Sequence, residues 1–166
     1  MSVRSFDDAH PFHRVMRRVA ATKAGRVIFR PTAHRLDHLV SRLSGGKYSF
    51  AGIAAGFPTV ILTTTGAKSG IPRTVALLGI SHPDGVAVVA TNYGDARHPS
   101  WYYNLKANPL ARVTLEGATW DATARLATPD EREEIWARGV NLYPGPTKER
   151  VWAGERRIEA FVLERH

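Results

Sequence analysis

The chain has no cysteine among its 166 residues, which removes disulfides, thiolate metal sites and cysteine nucleophiles together. No apolar stretch approaches the roughly 18 residues that a membrane-spanning helix needs. The opening MSVRSFDDAHPFHRV lacks the apolar core of a signal peptide, so a soluble, cytoplasmic protein is expected. Acidic residues are few beside basic ones: 15 Asp and Glu face 23 Lys and Arg, a formal charge of +8. Such a surface attracts anions, whether nucleic acid, anionic lipid or a phosphorylated or carboxylated small molecule. Nucleic acid is disfavoured, because no basic run is interleaved with aromatics and no zinc-finger, RNA-recognition or helix-turn-helix signature occurs. Internal repeats, low-complexity tracts and long linkers are missing as well. What remains is one domain over residues 1–166, large enough to bury roughly 70% of the surface its unfolded form exposes.

What is present reads as helices first and strands afterwards. PFHRVMRRVA, 11–20, sets Phe12, Val15, Met16 and Val19 on one helical face and Arg14, Arg17 and Arg18 opposite. TAHRLDHLVSRL, 32–43, spaces Leu36, Leu39, Val40 and Leu43 in the same way until Gly45-Gly46 ends it. These form an N-terminal helical cap over 1–50. His34 and His38 fall on the face opposite the leucines with no third ligand, so no metal site is expected there.

From residue 58 the pattern shifts to β-branched runs bounded by Gly, Pro and Asp: PTVILTTT, RTVALLGI and GVAVVAT, the last two joined at His82-Pro83-Asp84-Gly85. SWYYNLKAN (100–108) is helical, opened by His98-Pro99 and stopped by Asn108-Pro109. ARVTLE and ATWDATARLA form a hairpin through Glu116-Gly117. A helix over 129–143 follows, with Thr128 as N-cap, then a short helix around 147–153 and a strand, AFVLER. Strands joined by hairpins predict an α+β domain around an antiparallel sheet or small barrel. A doubly wound sheet is disfavoured, since the first three strands leave no room for crossover helices.

Two stretches carry chemistry. In TTTGAKSGIPRT, 63–74, Gly66 and Gly70 let backbone N–H groups approach a ligand, while Lys68 and Arg73 beside Ser69 supply positive charge. The glycine spacing is wrong for a nucleotide P-loop, and a strand rather than a helix follows. A basic hairpin tip in solvent is the competing reading. In ATNYGDARHPSWYYNLKANP, 90–109, a strand end at Thr91-Asn92 meets a helix opening with Ser100-Trp101. Free N–H groups, an indole and an amide then converge, which suits an aromatic, hydrogen-bonding ligand. The alternative is that Trp101, Tyr102 and Leu105 only pack the helix onto the sheet. His98 fits a helix-start role better than general-base duty, as no Ser-His-acid arrangement accompanies it.

Taken in order, VILTTTGAKSGIPRTVALL, VVATNYGDARHPSWYYNLKANPLARVTL, ATARLATPDERE and FVLER resemble the deazaflavin-dependent nitroreductase family, small actinobacterial oxidoreductases that use coenzyme F420. The similarity covers about residues 57–166. It implies a mostly antiparallel, FMN-binding-like split β-barrel with N-terminal helices, a crossover helix and a C-terminal helix. It further implies that Lys68 and Arg73, with the backbone at Ser69 and Gly70, hold the phosphate and oligoglutamyl tail of the cofactor. Val89, Thr91 and Asn92 would line its ring, and Ser100, Trp101, Tyr102 and Asn104 would complete the cleft. Ala67 stands where the family motif usually has arginine, and Asn92 where some relatives have a basic residue. Tyr143 is kept, but Pro146 and Glu149 replace tyrosines of the nitroimidazole-activating member.

The activity implied is hydride transfer from reduced deazaflavin to a small-molecule acceptor: a quinone, a nitroaromatic or an activated enone. Thr91 is the candidate to hydrogen-bond the acceptor's developing anion, with Tyr143 second. The basic N-terminal helix offers a lid and a weak peripheral contact with anionic membrane. Two alternatives stand beside this reading: FMN in the same barrel, and a non-catalytic carrier of a deazaflavin or lipid-like ligand.

Overall fold

Short β-branched runs separated by tight turns cannot build helices long enough to bury a face, so they pair as strands. The computed structural model describes residues 58–142 and 145–166, together with the isolated positions 11, 22 and 56. The helices expected over 11–20 and 32–43, and Tyr143, lie outside the described residues. The strands are β1 (Thr59–Thr65), β2 (Pro72–Leu78), β3 (Ile80–His82), β4 (Gly85–Val89), β5 (Leu110–Leu115), β6 (Ala118–Leu126) and β7 (Ala160–Arg165). They form one seven-stranded sheet in the order β2-β1-β5-β6-β7-β4-β3. Every neighbouring pair is antiparallel. Among the described residues three α-helices have stated bounds: α1 (Ser100–Ala107), α2 (Pro129–Leu142) and α3 (Gly145–Trp152).

RTVALLGI, expected as a single strand, is two. β2 and β3 are separated by Gly79 alone yet occupy opposite edges of the sheet. One residue can span the two edges only if the sheet curls until they meet. The Gly79 N–H donates to the Pro58 carbonyl at 2.8 Å, and a Cβ there would lie 2.8 Å from Val60 Cγ2. Close approach, rather than a turn, therefore demands glycine at this seam. Sequence reasoning missed the break because nothing local marks it. The curled antiparallel sheet with its helices is the α+β split barrel that the motifs imply.

Two cores follow from the alternation of side chains across the sheet. Inside the curl, Val60, Leu62, Val86, Val88, Val113, Phe161 and Leu163 pack against Trp101, Tyr102 and Leu105 of α1. On the other face Ile80, Ala87, Ala160 and Val162 are covered by Ile135 of α2. β4 and β7 are buried on both sides, and this explains why GVAVV and AFVL are unbroken apolar runs rather than alternating ones. α2 begins with a reciprocal capping box: the Glu131 N–H donates to Thr128 Oγ1 at 3.3 Å and the Thr128 N–H to Glu131 Oε2 at 2.8 Å. α1 is the crossover that carries the chain from β4 to β5.

Candidate functional site

At the tip of the β1-β2 hairpin, paired up to Thr65 and Pro72, the chain makes a compact turn. The Gly66 N–H donates to the Ile71 carbonyl at 3.0 Å and the Gly70 N–H to the Gly66 carbonyl at 2.8 Å. Gly70 takes a φ of +66°, a left-handed conformation that suits glycine. Ser69 Oγ accepts the Ile71 N–H at 3.3 Å. The N–H groups of Lys68 and Ser69 have no acceptor among the described residues, and Lys68 and Arg73 are exposed on either side. Two cations and two free N–H groups on one turn suit phosphate or carboxylate oxygens.

Asn104 ties this turn to α1. Its Oδ1 accepts the Ala67 N–H at 3.0 Å, and its Nδ2 donates to Thr64 Oγ1 at 3.0 Å. Thr64 Oγ1 in turn donates to the Arg73 carbonyl at 3.4 Å. Asn104 and Thr64 are both buried. One amide therefore joins the two motifs that are 37 to 40 residues apart in sequence.

Beyond β4 the backbone turns sharply through Asn92, Tyr93 and Gly94, with φ of 49°, 54° and 70°. The Asn92 Nδ2 donates to the Arg97 carbonyl at 2.8 Å, so its amide braces this loop. Thr91 makes no side-chain cap hydrogen bond, leaving its hydroxyl available to a ligand. His98 stacks flat on Tyr102, ring centroids 3.9 Å apart at 8°. Burial, and then the neighbouring Arg156, hold His98 below its ordinary 6.5, with Glu159 opposing. Its ring is therefore neutral at pH 7, which fits packing better than proton donation.

The hairpin turn, the 91–98 loop and α1 surround a cleft of about 1790 Å³. Lys68, Ser69, Arg73, Val89, Thr91, Asn92, Ser100, Trp101 and Asn104 all line it. Gly70 and Tyr102 do not: Gly70 shapes the turn and Tyr102 sits in the core under His98. Trp101 is only 6% exposed and packs edge-on to Phe161, so the indole is chiefly core. Tyr103, half exposed beside it, lines the cleft instead, as does Tyr93. Trp136 on α2 and Pro146 and Glu149 on α3 line it as well, and α3 packs against the turn at Gly94, where a Cβ would lie 2.8 Å from the Glu149 carbonyl. Tyr93, Tyr103 and Trp136 were not singled out as site residues from sequence. Their signal is weak, because a surface aromatic next to a core position, such as Trp136 beside Ile135, looks like packing.

His82, Asp84 and Glu131 place potential metal-ligand atoms within 4.8 Å of one another. Arg125 occupies both carboxylates, donating to Glu131 Oε2 at 2.7 Å and Oε1 at 2.8 Å and to Asp84 Oδ2 at 3.0 Å. These atoms belong to a charge network centred on Arg125.

A curled antiparallel barrel, opening beside a basic turn onto an aromatic cleft, defines the split-barrel class of cofactor-binding proteins. Within it, the chain belongs to the F420H(2)-dependent quinone reductase family, whose model matches residues 34–165. It is 35% identical over 111 residues to an F420H(2)-dependent quinone reductase of Mycobacterium tuberculosis, spanning 66% of either chain. A second chain of that organism bearing the same reductase name is 34% identical over 113 residues, covering 68% of this chain and 94% of the other. Among solved structures, an F420H2-dependent reductase superposes with a TM-score of 0.59 at 41% identity, covering 64% of this chain and 94% of that one. Another, described as a domain-swapped dimer, gives 0.61 at 35% identity over 81% of this chain and 99% of its own.

Proposed function

We propose that this chain is an F420H2-dependent reductase passing a hydride from reduced deazaflavin to a quinone-type acceptor, which takes up a proton as well to give the hydroquinone. The observation that carries this reading is the coupling, through Asn104, of an anion-binding turn to an aromatic cleft. The donor set fits the cofactor: Lys68, Arg73 and two free N–H groups match a phosphate and a carboxylate tail, and the cleft beside them takes a flat ring. When bound, the deazaflavin supplies the hydride.

The protein supplies position and shielding. Lys68 and Arg73 hold the anionic end, while Val89, Thr91 and Asn92 present the far end of β4 to the ring. The unused Thr91 hydroxyl is placed to donate to an acceptor oxygen gaining charge. Trp136 and Pro146, which line the same cleft, shelter the acceptor from water. Tyr143, which lies outside the described residues, is the second candidate to hydrogen-bond the acceptor. No helix among the described residues is long and apolar enough to cross a membrane. Co-sedimentation with anionic vesicles tests whether the basic segment over 11–20 brings the enzyme to membrane quinones.

The deciding experiment titrates oxidised and reduced deazaflavin, with FMN alongside, and then adds menadione. Micromolar deazaflavin binding followed by menadione-dependent oxidation is expected. Retention of FMN, or tight deazaflavin binding with no oxidation across quinones and nitro compounds, would point to the alternatives. Lys68→Ala should weaken deazaflavin affinity about tenfold and reduce its salt dependence. An unchanged affinity would mean that the turn is a solvated hairpin tip.

A further inference from the structure

We propose that Arg156 is a positioning residue that holds the ring-facing turn in its working shape, an inference that rests on the reductase reading above. The turn needs holding. Asn92, Tyr93 and Gly94 are successive left-handed residues; glycine and asparagine tolerate that conformation, but the bulky Tyr93 disfavours it. Such a run persists only where its surroundings over-determine it.

Arg156, in the segment before β7, provides that constraint. Its Nη1 donates to the Ala90 carbonyl at 2.9 Å, its Nη2 to the Thr91 carbonyl at 2.6 Å and its Nε to the Asp95 carbonyl at 2.8 Å. The three acceptors bracket the left-handed run on both sides. A rigid, planar fork can satisfy them at once, whereas a lysine ammonium is a single point on a flexible stem. The same guanidinium lies 3.3 Å from His98 Nδ1, so the loop is gathered at its far end too. The backbone supports the clamp from below, since the Ala90 N–H donates to the Glu159 carbonyl at 2.8 Å.

The consequence reaches the cleft. With the Thr91 carbonyl pinned, Thr91, Asn92 and Tyr93 are held at the lining of the cleft. His98, stacked on Tyr102, leads through Pro99 into α1, and Asn104 of α1 holds the anion-binding turn. Arg156 thereby sets the spacing between the part that faces the ring and the part that holds the phosphate. Its three direct donations go to backbone carbonyls, so it acts on the loop as a template for the chain path.

The test compares Arg156→Ala and Arg156→Lys with Arg125→Ala, an arginine outside the cleft. It reads deazaflavin affinity and its salt slope, single-turnover hydride transfer at saturating cofactor, hydrogen–deuterium exchange of residues 90–98 without cofactor, and thermal midpoint. Both Arg156 variants should lose at least about tenfold in transfer rate, keep the wild-type salt slope, and exchange faster over 90–98. Millimolar guanidinium ion should restore part of the Arg156→Ala rate. Arg125→Ala should lower the midpoint without changing transfer or exchange at 90–98. A wild-type rate in Arg156→Lys, or unchanged exchange over 90–98 in either Arg156 variant, overturns the proposal. Should Arg156→Ala fail to fold, Arg156→Lys decides alone. Should the wild type not bind deazaflavin, the reductase reading fails while the exchange experiment still judges the clamp.

Discussion

Two arginines organise this molecule, and they do so by opposite means. Arg125, on β6, spends its donors on carboxylates: Glu131 of α2, Glu164 of β7 and Asp84 in the β3-β4 turn. Arg156 spends its donors on backbone carbonyls. The pKa values diverge accordingly. Hydrogen bonds, first from Glu131 and then Glu164, raise that of Arg125, whereas burial lowers that of Arg156, opposed by Asp95, Tyr103 and Glu149. The first is a charge-compensated fastener between elements and the second shapes a loop. Side-chain partners can be exchanged with solvent ions at little cost, but carbonyls fixed by the chain path dictate geometry, so geometry-sensitive chemistry belongs with the second.

The contrast breaks or sharpens under four perturbations. The largest effect is expected on the loop side. Gly94→Ala would place a Cβ 2.7 Å from Trp152 Cβ and 2.8 Å from the Glu149 carbonyl, at a φ of +70°. A loss of about 2–3 kcal/mol in urea unfolding, with impaired hydride transfer, should follow. Arg125→Ala comes next. Its side chain is 32% exposed and its partners are more or less wet, so about 1 kcal/mol of stability should go while turnover is untouched.

Acid titration reaches only part of that network. Arg125, with the Thr128 cap, holds Glu131 at about 2 against an ordinary 4.5. Its contribution is thus fully present above pH 4.5 and is lost as pH falls toward 2, so Arg125→Ala should flatten unfolding free energy across that window. His98 titrates elsewhere. Lowered from 6.5, it contributes fully above pH 6.5 and progressively less below, and His98→Asn should remove that slope. The smallest effect is that of salt. At about 1 M ionic strength the Arg125 network should lose about half a kcal/mol or less, and exchange over 90–98 should not move.

Much of this architecture is legible in the chain. β-branched runs and Glu116-Gly117 mark the β5-β6 hairpin, and the pattern from Thr128 to Glu131 marks the start of α2. The basic turn is legible because its character is written in side chains, Lys68 and Arg73. Arg156 is not. Its acceptors are carbonyls 61 to 66 residues away, and carbonyls are common to all residues, so no pattern of letters announces them. The Gly79 seam is hidden for a similar reason: the close approach of Val60 and Pro58 comes from another strand and the segment before it. Tyr102 and Tyr103 show the remaining difficulty. Adjacent aromatics on one helix divide between core and cleft according to which face the sheet covers.

The position of β7 has a consequence for how the protein is made. Formed from residues 160–165, it lies between β6 and β4. Until it pairs, β2-β1-β5-β6 and β4-β3 are not joined into one sheet, and each leaves an edge unpaired. A truncation before Ala160 would not trim the barrel but split it. Because Arg156 lies shortly before this strand, the pairing that closes the sheet also brings its guanidinium to the turn at 92–94.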